Sequence, residues 1–406
     1  MANDPNTPDP SSLDPNSRRA LRYGLNPHQS GAHVISPNEP SPLDVLSGNP
    51  GYINILDALR GWKLVRELSQ RFNRPAAASF KHVNPAGVGL GGGDLPDDFM
   101  ATHFLGNLTL SPLATAYLRA RHGDRISSYG DFVALSEEVD IETAEVLKGV
   151  ASDGVIAPGY TPEALAILRR KREGRYLVLA IDPSFEPGKV ESRTEFGLTM
   201  TQDADIGDVP DPYAAKVVSQ NRVLTDGNRD DLLLAMIVAK HTQSNAVVIA
   251  KDGQTIGIGA GQQSRISATR LACEKADTYR LLTHPKVSSL SFAPEVGRIE
   301  KMNLMDMLLR FEELSAVERQ MLIDRLPSGF HPLTAVERET WLRRGQSLCL
   351  ASDAFIPFRD NIDRATRSNV THIMQTGGSL RDADVTAAAD EHAIVLLHSG
   401  MRHFLH

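Results

Sequence analysis

Short apolar runs, glycine-rich turns and stretches with apolar residues three or four apart follow one another along nearly the whole chain. No other feature limits its fold so strongly. Residues 51–72 place Ile55, Leu59, Trp62, Val65 and Leu68 on one helical face. The small apolar run 75–80 then reads as a buried strand, ending in the turn-rich KHVNPAGVGLGGG. A helix is expected around 98–122, a strand at DFVALSE, a short helix at ETAEVLKGV, and strand and turn at DGVIAPGY. A second cycle predicts a helix over 229–241, then strand, Asp252-Gly253 turn and strand over 245–259. A helix follows at SRISATRLACEKA, a helical region over 300–343, and strand–helix–strand–helix–strand from LCLASDAFIP to AIVLLHS. Alternating elements of this kind belong to the α/β class. The segments 128–160 and 349–379 share one order of strand, polar turn, short helix, strand and glycine turn, which suggests a repeated layered domain.

At 406 residues the chain has room for two or three domains. The expected division is a mobile arm over 1–20, a first domain over 21–202, a linker over 203–213 and a second domain over 214–406 with a helical insertion near 300–343. The arm has little to bury, and MANDPNTPDPSSLDPNSRRA lacks the apolar core of a secretory signal. With 41% hydrophobic and 23% charged residues the chain can bury a sizeable core. A formal charge of -7 argues against a general nucleic-acid coat. Cys273 and Cys349 allow one disulfide at most and fit a reducing compartment. No run reaches the roughly 18 apolar residues of a membrane helix, so the expected location is the cytoplasm.

Five polar clusters stand out. Arg22-Tyr23-Gly24-Leu25-Asn26-Pro27-His28-Gln29 either specifies a ligand or closes a tight turn. Ser79 to Gly87 carries Lys81 beside His82 at the end of a strand, where a fixed positive donor meets a group that titrates near neutrality. The pair acts jointly only if it lies in the turn, because neighbours on a strand face opposite ways. Lys240 to Asn245 is followed by Gly257-Ile258-Gly259-Ala260-Gly261 and Arg265. The glycines either expose N–H groups to an anion or let a helix approach a strand, and they form neither a dinucleotide fingerprint nor a P-loop. The fourth cluster is Ser352 to Asn361. The fifth is the carboxyl end, Met401 to His406, expected to be docked because it follows a buried-looking strand at once. No Gly-x-Ser-x-Gly elbow is present, and His403 and His406 have no cysteine or carboxylate near them in sequence, which argues against zinc.

In order, the pieces RYGLNPHQ, SFKHVNPAG, SYGDFVALS, SDGVIAPGY, KHTQSN, GIGAGQQSRI, SDAFIPFRDNIDRA and MRHFLH resemble the aminoimidazole carboxamide ribonucleotide (AICAR) formyltransferase portion of the bifunctional PurH family. The resemblance runs from residue 21 to 406. It implies two cytidine-deaminase-like layered domains in tandem. The His-x-Glu and Pro-Cys-x-x-Cys zinc motifs of deaminases do not occur, so no zinc and no deaminase activity are expected. The family's cyclohydrolase domain would precede the RYG motif. Twenty residues stand there, and the expectation is formyl transfer without ring closure, coupled to a separate IMP cyclohydrolase. Leu25, Ile356, Thr376 and Leu405 depart from the residues expected within otherwise matching motifs.

The resemblance implies transfer of the formyl group of 10-formyltetrahydrofolate, as co-substrate, to the 5-amino group of AICAR. That amine is a poor nucleophile, so alignment and proton removal are required. His82 is the candidate base, Lys81 the stabiliser of the formyl oxygen, and Asn245 the group that orients amine or formyl. By position in the motifs, Arg22, Tyr23, Gly130, Asp153, Arg265, Phe355, Arg402, Phe404 and His406 would line the nucleotide site with Asn245. Ile266, Asp360, Ser379 and Leu380 would contact the folate. The family also implies a homodimer with sites near the subunit interface, and a potassium ion near the TQSN segment and the carboxyl terminus. Other readings are formylation of a modified imidazole nucleotide, and a weakly active nucleotide-binding scaffold for a separate cyclohydrolase.

Overall fold

A computed structural model describes residues 18–36, 40–106, 108–326, 330–345 and 347–406. The arm expected over 1–20 lies outside them except at its end. Arg18–Ala20 (β1) pairs antiparallel with His33–Ile35 (β2), so regular structure starts before Leu21.

The N-terminal half continues with β3 (Leu43–Ser47), α1 (Tyr52–Phe72), β4 (Ala76–Lys81), β5 (Asn84–Leu90), α2 (Asp97–Thr102) and α3 (Pro112–Gly123). Then come β6 (Asp131–Leu135), α4 (Ile141–Lys148), β7 (Ser152–Ala157), α5 (Pro162–Arg170) and β8 (Leu177–Ile181). An exposed ribbon, β9 (Val190–Glu195) with β10 (Leu198–Asp203), leads to the C-terminal half. That half holds β11 (Lys216–Val217), α6 (Asp226–Lys240), β12 (Val247–Lys251), β13 (Gln254–Gly259) and α7 (Arg265–Leu281). The short α8 (Pro285–Ser288), α9 (Arg298–Leu309), α10 (Ala316–Ile323) and α11 (Ala335–Leu342) follow. The chain closes with β14 (Leu348–Ser352), α12 (Asp360–Arg367), β15 (Val370–Gln375), α13 (Asp382–Glu391) and β16 (Val395–His398).

One helix expected over 98–122 is in fact two. Pro112 has no N–H to continue a preceding helix, and Ser111 caps α3 by accepting the Ala114 N–H, so the chain restarts there. The helical region 300–343 is likewise several short helices, with Ser315 and Thr334 each forming a capping box. The stretch 203–213 has no helix or strand after Asp203, yet it is docked. Val209 is buried, the Gly207 carbonyl accepts from Lys240, and Asp211 accepts from Arg229.

The two halves form one 12-stranded sheet in the order β11-β16-β15-β14-β12-β13-β5-β4-β6-β7-β8-β3. Read outward from its centre, each half repeats one pattern. An antiparallel hairpin (β5–β4, β13–β12) is followed by an antiparallel neighbour, two parallel strands and a short antiparallel edge. Strand alternation divides the core. Ala76, Ala78, Phe80, Phe132 and Ala134 face α1, whereas Ala77, Val133 and Leu135 face the opposite layer of α3, α4 and α5. In the second half Val248 and Ala250 face α6, while Val247 and Ile249 face α7, α12 and α13. The expected face of α1 is the buried one: Ile55, Trp62, Val65 and Leu68 are inside and Leu59 packs against the same core.

Glycines set how close the outer helices come. A Cβ on Gly87 would lie 2.0 Å from the Ala120 carbonyl oxygen in α3, and one on Gly259 would lie 2.1 Å from that of Ala268 in α7. Of the two readings of the Gly257–Gly261 run, close helix–strand contact accounts for Gly257 and Gly259. Gly259→Ala is therefore expected to cost about 1–3 kcal/mol, because α7 must retreat. Gly188→Ala, whose methyl would meet only the Val190 carbonyl at 3.9 Å, is the control, with both read from urea melts.

Each central hairpin is held by a buried aspartate of the helix before it. Val83 N–H donates to Asp57 Oδ1 at 2.6 Å, and Asp252 and Gly253 N–H donate to Asp231 at 3.0 and 2.9 Å. Burial pushes both carboxyls up to about 6. The folded state thus binds more protons than the unfolded chain between about pH 4 and 6, and stability falls as pH rises through that window. For Asp231 the loss is on the order of 3 kcal/mol. Asp231→Asn should flatten that part of the stability–pH curve, measured by denaturant unfolding at a series of pH values.

Candidate active site

Lys81 ends β4, and His82 and Val83 form the two-residue turn to β5, with φ of 53° and 62°. The adjacency expected from sequence is thus realised in a turn. Lys81 Nζ donates to the Tyr129 carbonyl at 2.7 Å, which ties it to the loop before β6. There Gly130, at φ 76°, donates its N–H to the Ala151 carbonyl at 3.1 Å. Asp153 is half-buried near the start of β7 and is paired with Arg172 at 2.8 Å.

Asn84 carries the hairpin across to the other half. Its Oδ1 accepts the Gln243 N–H at 2.9 Å. Beside it, Asn245 is fixed at both ends of its amide: Nδ2 donates to the Gln262 carbonyl at 2.8 Å and Oδ1 accepts from Arg265 Nη2 at 2.6 Å. Arg265 also donates to Asp353 and to the Ala246 carbonyl. Asp353 has no exposed surface, and Ser244 Oγ donates to its other oxygen at 2.6 Å.

The carboxyl end closes this cluster. Ser244 N–H donates to the Leu405 carbonyl at 3.0 Å, Leu405 N–H to Ser244 Oγ at 3.1 Å, and His403 N–H to the Asp353 carbonyl at 2.9 Å. His403 is buried with Nδ1 2.9 Å from Asp205, a carboxylate in the docked 203–213 stretch. That bond holds Asp205 below the usual carboxylate range. The side chains of Arg402, Phe404 and His406 stay exposed. The Arg402 guanidinium lies 4.6 Å from the Phe404 ring centre, with the His406 ring 5.6 Å beyond.

The remaining candidates surround this frame. Tyr23 accepts the Tyr52 N–H at the start of α1, and Arg22 lies 5.6 Å from its ring. Both are exposed, while Asn26 and Gln29 bond each other, so that motif contains both a tight turn and two exposed side chains. Ile266 is half-buried in the first turn of α7, and Phe355 is exposed in the loop after β14. Asp360 starts α12, and Ser379 and Leu380 form the turn before α13. Arg381 lies 5.3 Å from the Phe358 ring, which connects that turn to the loop carrying Phe355.

Several positions in and around the candidate site escape a local reading. Asp57 could have been noticed as a lone carboxylate on the apolar face of the 51–72 helix. Asp353 sits inside a quoted motif, but only its partner Arg265 shows why it is there. Lys240 and His241 both bind Glu67, at 3.0 and 2.7 Å, and so anchor helices. Burial pushes Glu67 upward, yet the contacts with His241 and Lys240 carry it below its usual range. Beneath Gly130, Asp131 is fully buried and accepts from Arg121 at 3.0 Å and Ser79 at 2.8 Å. A cleft of about 860 Å³ opens between Lys81, Arg125, Tyr129 and Ala151 on one side and Arg298 and Met302 of α9 on the other. The helical insertion thus supplies one wall beside the lysine. Burial lowers Arg125 to about 10. Among the described residues, no three His, Cys, Asp or Glu side chains gather as a metal site, and no helix is long and apolar enough to cross a membrane.

Residues 2–275, more than half of the chain, match the AICARFT/IMPCHase bienzyme family. The chain belongs to that family. It is 34% identical over 393 residues to the bifunctional purine biosynthesis protein PurH of Agrobacterium fabrum and to that of Rhizobium meliloti, covering 96% of this chain and 59% of each relative. Identity to the PurH of Cereibacter sphaeroides is 33% over the same length, covering 60% of that protein. The chain therefore spans about 60% of the length of these PurH relatives.

The buried Arg265–Asp353 pair is the family chain's most exacting contact at the site. Removing one partner leaves the other charge buried without compensation, so Arg265→Met is expected to cost about 3–5 kcal/mol. Arg265→Met combined with Asp353→Leu should recover much of that loss. Unfolding midpoints of both single variants and the double variant measure the coupling.

Proposed function

We propose that this chain transfers the formyl group of 10-formyltetrahydrofolate to the 5-amino group of AICAR, giving the 5-formamido ribonucleotide and tetrahydrofolate. One observation carries the reading. In a chain of this family, the Lys81–His82 turn of one half is joined through Asn84 and Gln243 to the Asn245–Arg265–Asp353 cluster of the other. His82, exposed on its turn, takes the amine proton as the carbon–nitrogen bond forms. Lys81 uses one N–H on the Tyr129 carbonyl and has two left for the formyl oxygen and the departing folate nitrogen. Asn245 keeps one N–H and one lone pair to orient the amine or the formyl group.

The arginines divide their work. Arg265 is committed to Asp353 and Asn245 and organises the site, whereas exposed Arg22 and Arg402 suit a phosphate. Phe355, Phe404 and His406 would flank the planar nucleotide. Ile266, Asp360, Ser379 and Leu380 would meet the folate. We read the two similar halves as cytidine-deaminase-like units divided at 203–213, and the active form as a homodimer whose partner completes the exposed surface. A potassium ion would sit near the Thr242–Asn245 segment and the carboxyl end, as the family resemblance implies.

The test is an assay with 10-formyltetrahydrofolate and AICAR. His82→Ala is expected to lower kcat by at least about 10²-fold in folded protein. Lys81→Met should also lower kcat while changing nucleotide Kd less. Parent protein that binds AICAR without turnover would favour a binding scaffold, and turnover restricted to a modified imidazole nucleotide would redefine the substrate.

A further inference from the structure

Asp57 and Asp231 occupy the same place in the two halves. Each lies in the second turn of the helix that precedes the central hairpin, each is buried, and each accepts from a two-residue turn, Asp57 one N–H and Asp231 two. The turns themselves differ. Asp252-Gly253 is the ordinary choice for a turn that needs positive φ at both positions, and both of its N–H groups reach Asp231. His82-Val83 adopts the same conformation with a β-branched residue at φ 62°, a costly combination. It is held by the Val83 N–H on Asp57. The strained copy is the one where Lys81, Asn84 and Gln243 meet, and the relaxed copy lies at the opposite end of the central strands, beside Leu90.

We infer that Asp57 is a positioning residue for His82, fixing the strained turn through the Val83 N–H and placing a carboxylate beside the turn that carries the imidazole. This rests on the reading of His82 as the base of formyl transfer. The charges that reach Asp57 are few. Burial dominates and raises its pKa, while His82 lowers it and Asp153 of β7 raises it. Asp153 is itself paired with Arg172. Lys81 of β4 is bound to the Tyr129 carbonyl, Asp131 of β6 is matched by Arg121, and Lys240 of α6 is matched by Glu67. Asp57 therefore gains its charge near pH 6, and Asp57→Asn removes that charge while leaving the turn its acceptor.

Two substitutions separate anchor from charge. Asp57→Asn keeps an acceptor for Val83, so the plateau kcat should stay within about threefold. The acid limb of the kcat/KM profile should change, because the carboxyl that titrates near pH 6 beside the turn is gone. Asp57→Ala loses the anchor, and kcat should fall roughly 10–100-fold. Asp231→Ala loses the equivalent anchor, with a similar fall in unfolding midpoint but no change in kcat. A second readout needs no turnover. In labelled-histidine NMR, with the His82 resonance assigned by its loss in His82→Ala, the His82 titration should move in Asp57→Asn and stay put in Asp231→Asn. Equal titration in parent and Asp57→Asn, or parental kcat in folded Asp57→Ala, would overturn the inference. An inactive parent whose His82 titration still responds to Asp57→Asn would instead remove the formyl-transfer reading and leave the positioning role standing.

Discussion

Everything at the site depends on the seam between β5 and β13. Regular pairing there is brief: Gln254 opposes Gly89, and Leu90 N–H donates to the Gly253 carbonyl. The Thr255 hydroxyl adds a side-chain bridge by accepting the Val88 N–H at 2.9 Å. The seam holds because α3 straddles it, and it can do so only where side chains are missing. A Cβ on Gly123 would lie 2.2 Å from the Thr255 carbonyl, just as one on Gly87 would strike Ala120. Two half-sheets that would otherwise each present an unpaired edge become one sheet, and the hairpin turn of one half comes to lie against the 243–245 loop of the other.

Polar chemistry is built around that seam in layers of decreasing burial. Asp353 lies fully inside and Arg265 nearly so, Asn245 is half-exposed with its amide orientation fixed, and His82, Arg402 and Phe404 face solvent. A buried ion pair of this kind contributes little net stability against an apolar replacement, but it strongly penalises any arrangement that separates it. Its value here is geometric. Asp353 holds Ser244 through one oxygen and Arg265 through the other, and Ser244 in turn holds the carboxyl end. Residues 402–406 are therefore a structural wall with three exposed side chains, consistent with the docking expected of them.

Much of the scaffold was legible because its causes are local. The apolar stripe of α1, the Asp252-Gly253 turn and the small-residue strand of β4 each follow from spacing or residue type. Where the reading slipped, a local cause was underweighted. Pro112 and Ser111 restart the chain within the single helix expected over 98–122, and Arg18–Ala20 gain order only from pairing with His33–Ile35. The motifs of the site were also visible, and their family resemblance agrees with the match found for the chain.

The amino-acid sequence by itself determined the α/β class, the two cycles and the side chains available for chemistry, because period and residue type act over a few neighbours. Tertiary structure alone decided which of those side chains meet. Arg265 finds Asp353 across 88 positions, Asn84 finds Gln243 across 159, and His403 finds Asp205 across 198. No local pattern encodes such pairs, since the free energy that selects them comes from closing the sheet at its glycine seam and satisfying charges that closure buries. The same holds for Asp57 and Asp231. In sequence they are two carboxylates on apolar helices, and only the fold shows one clamping an ordinary turn and the other a strained one.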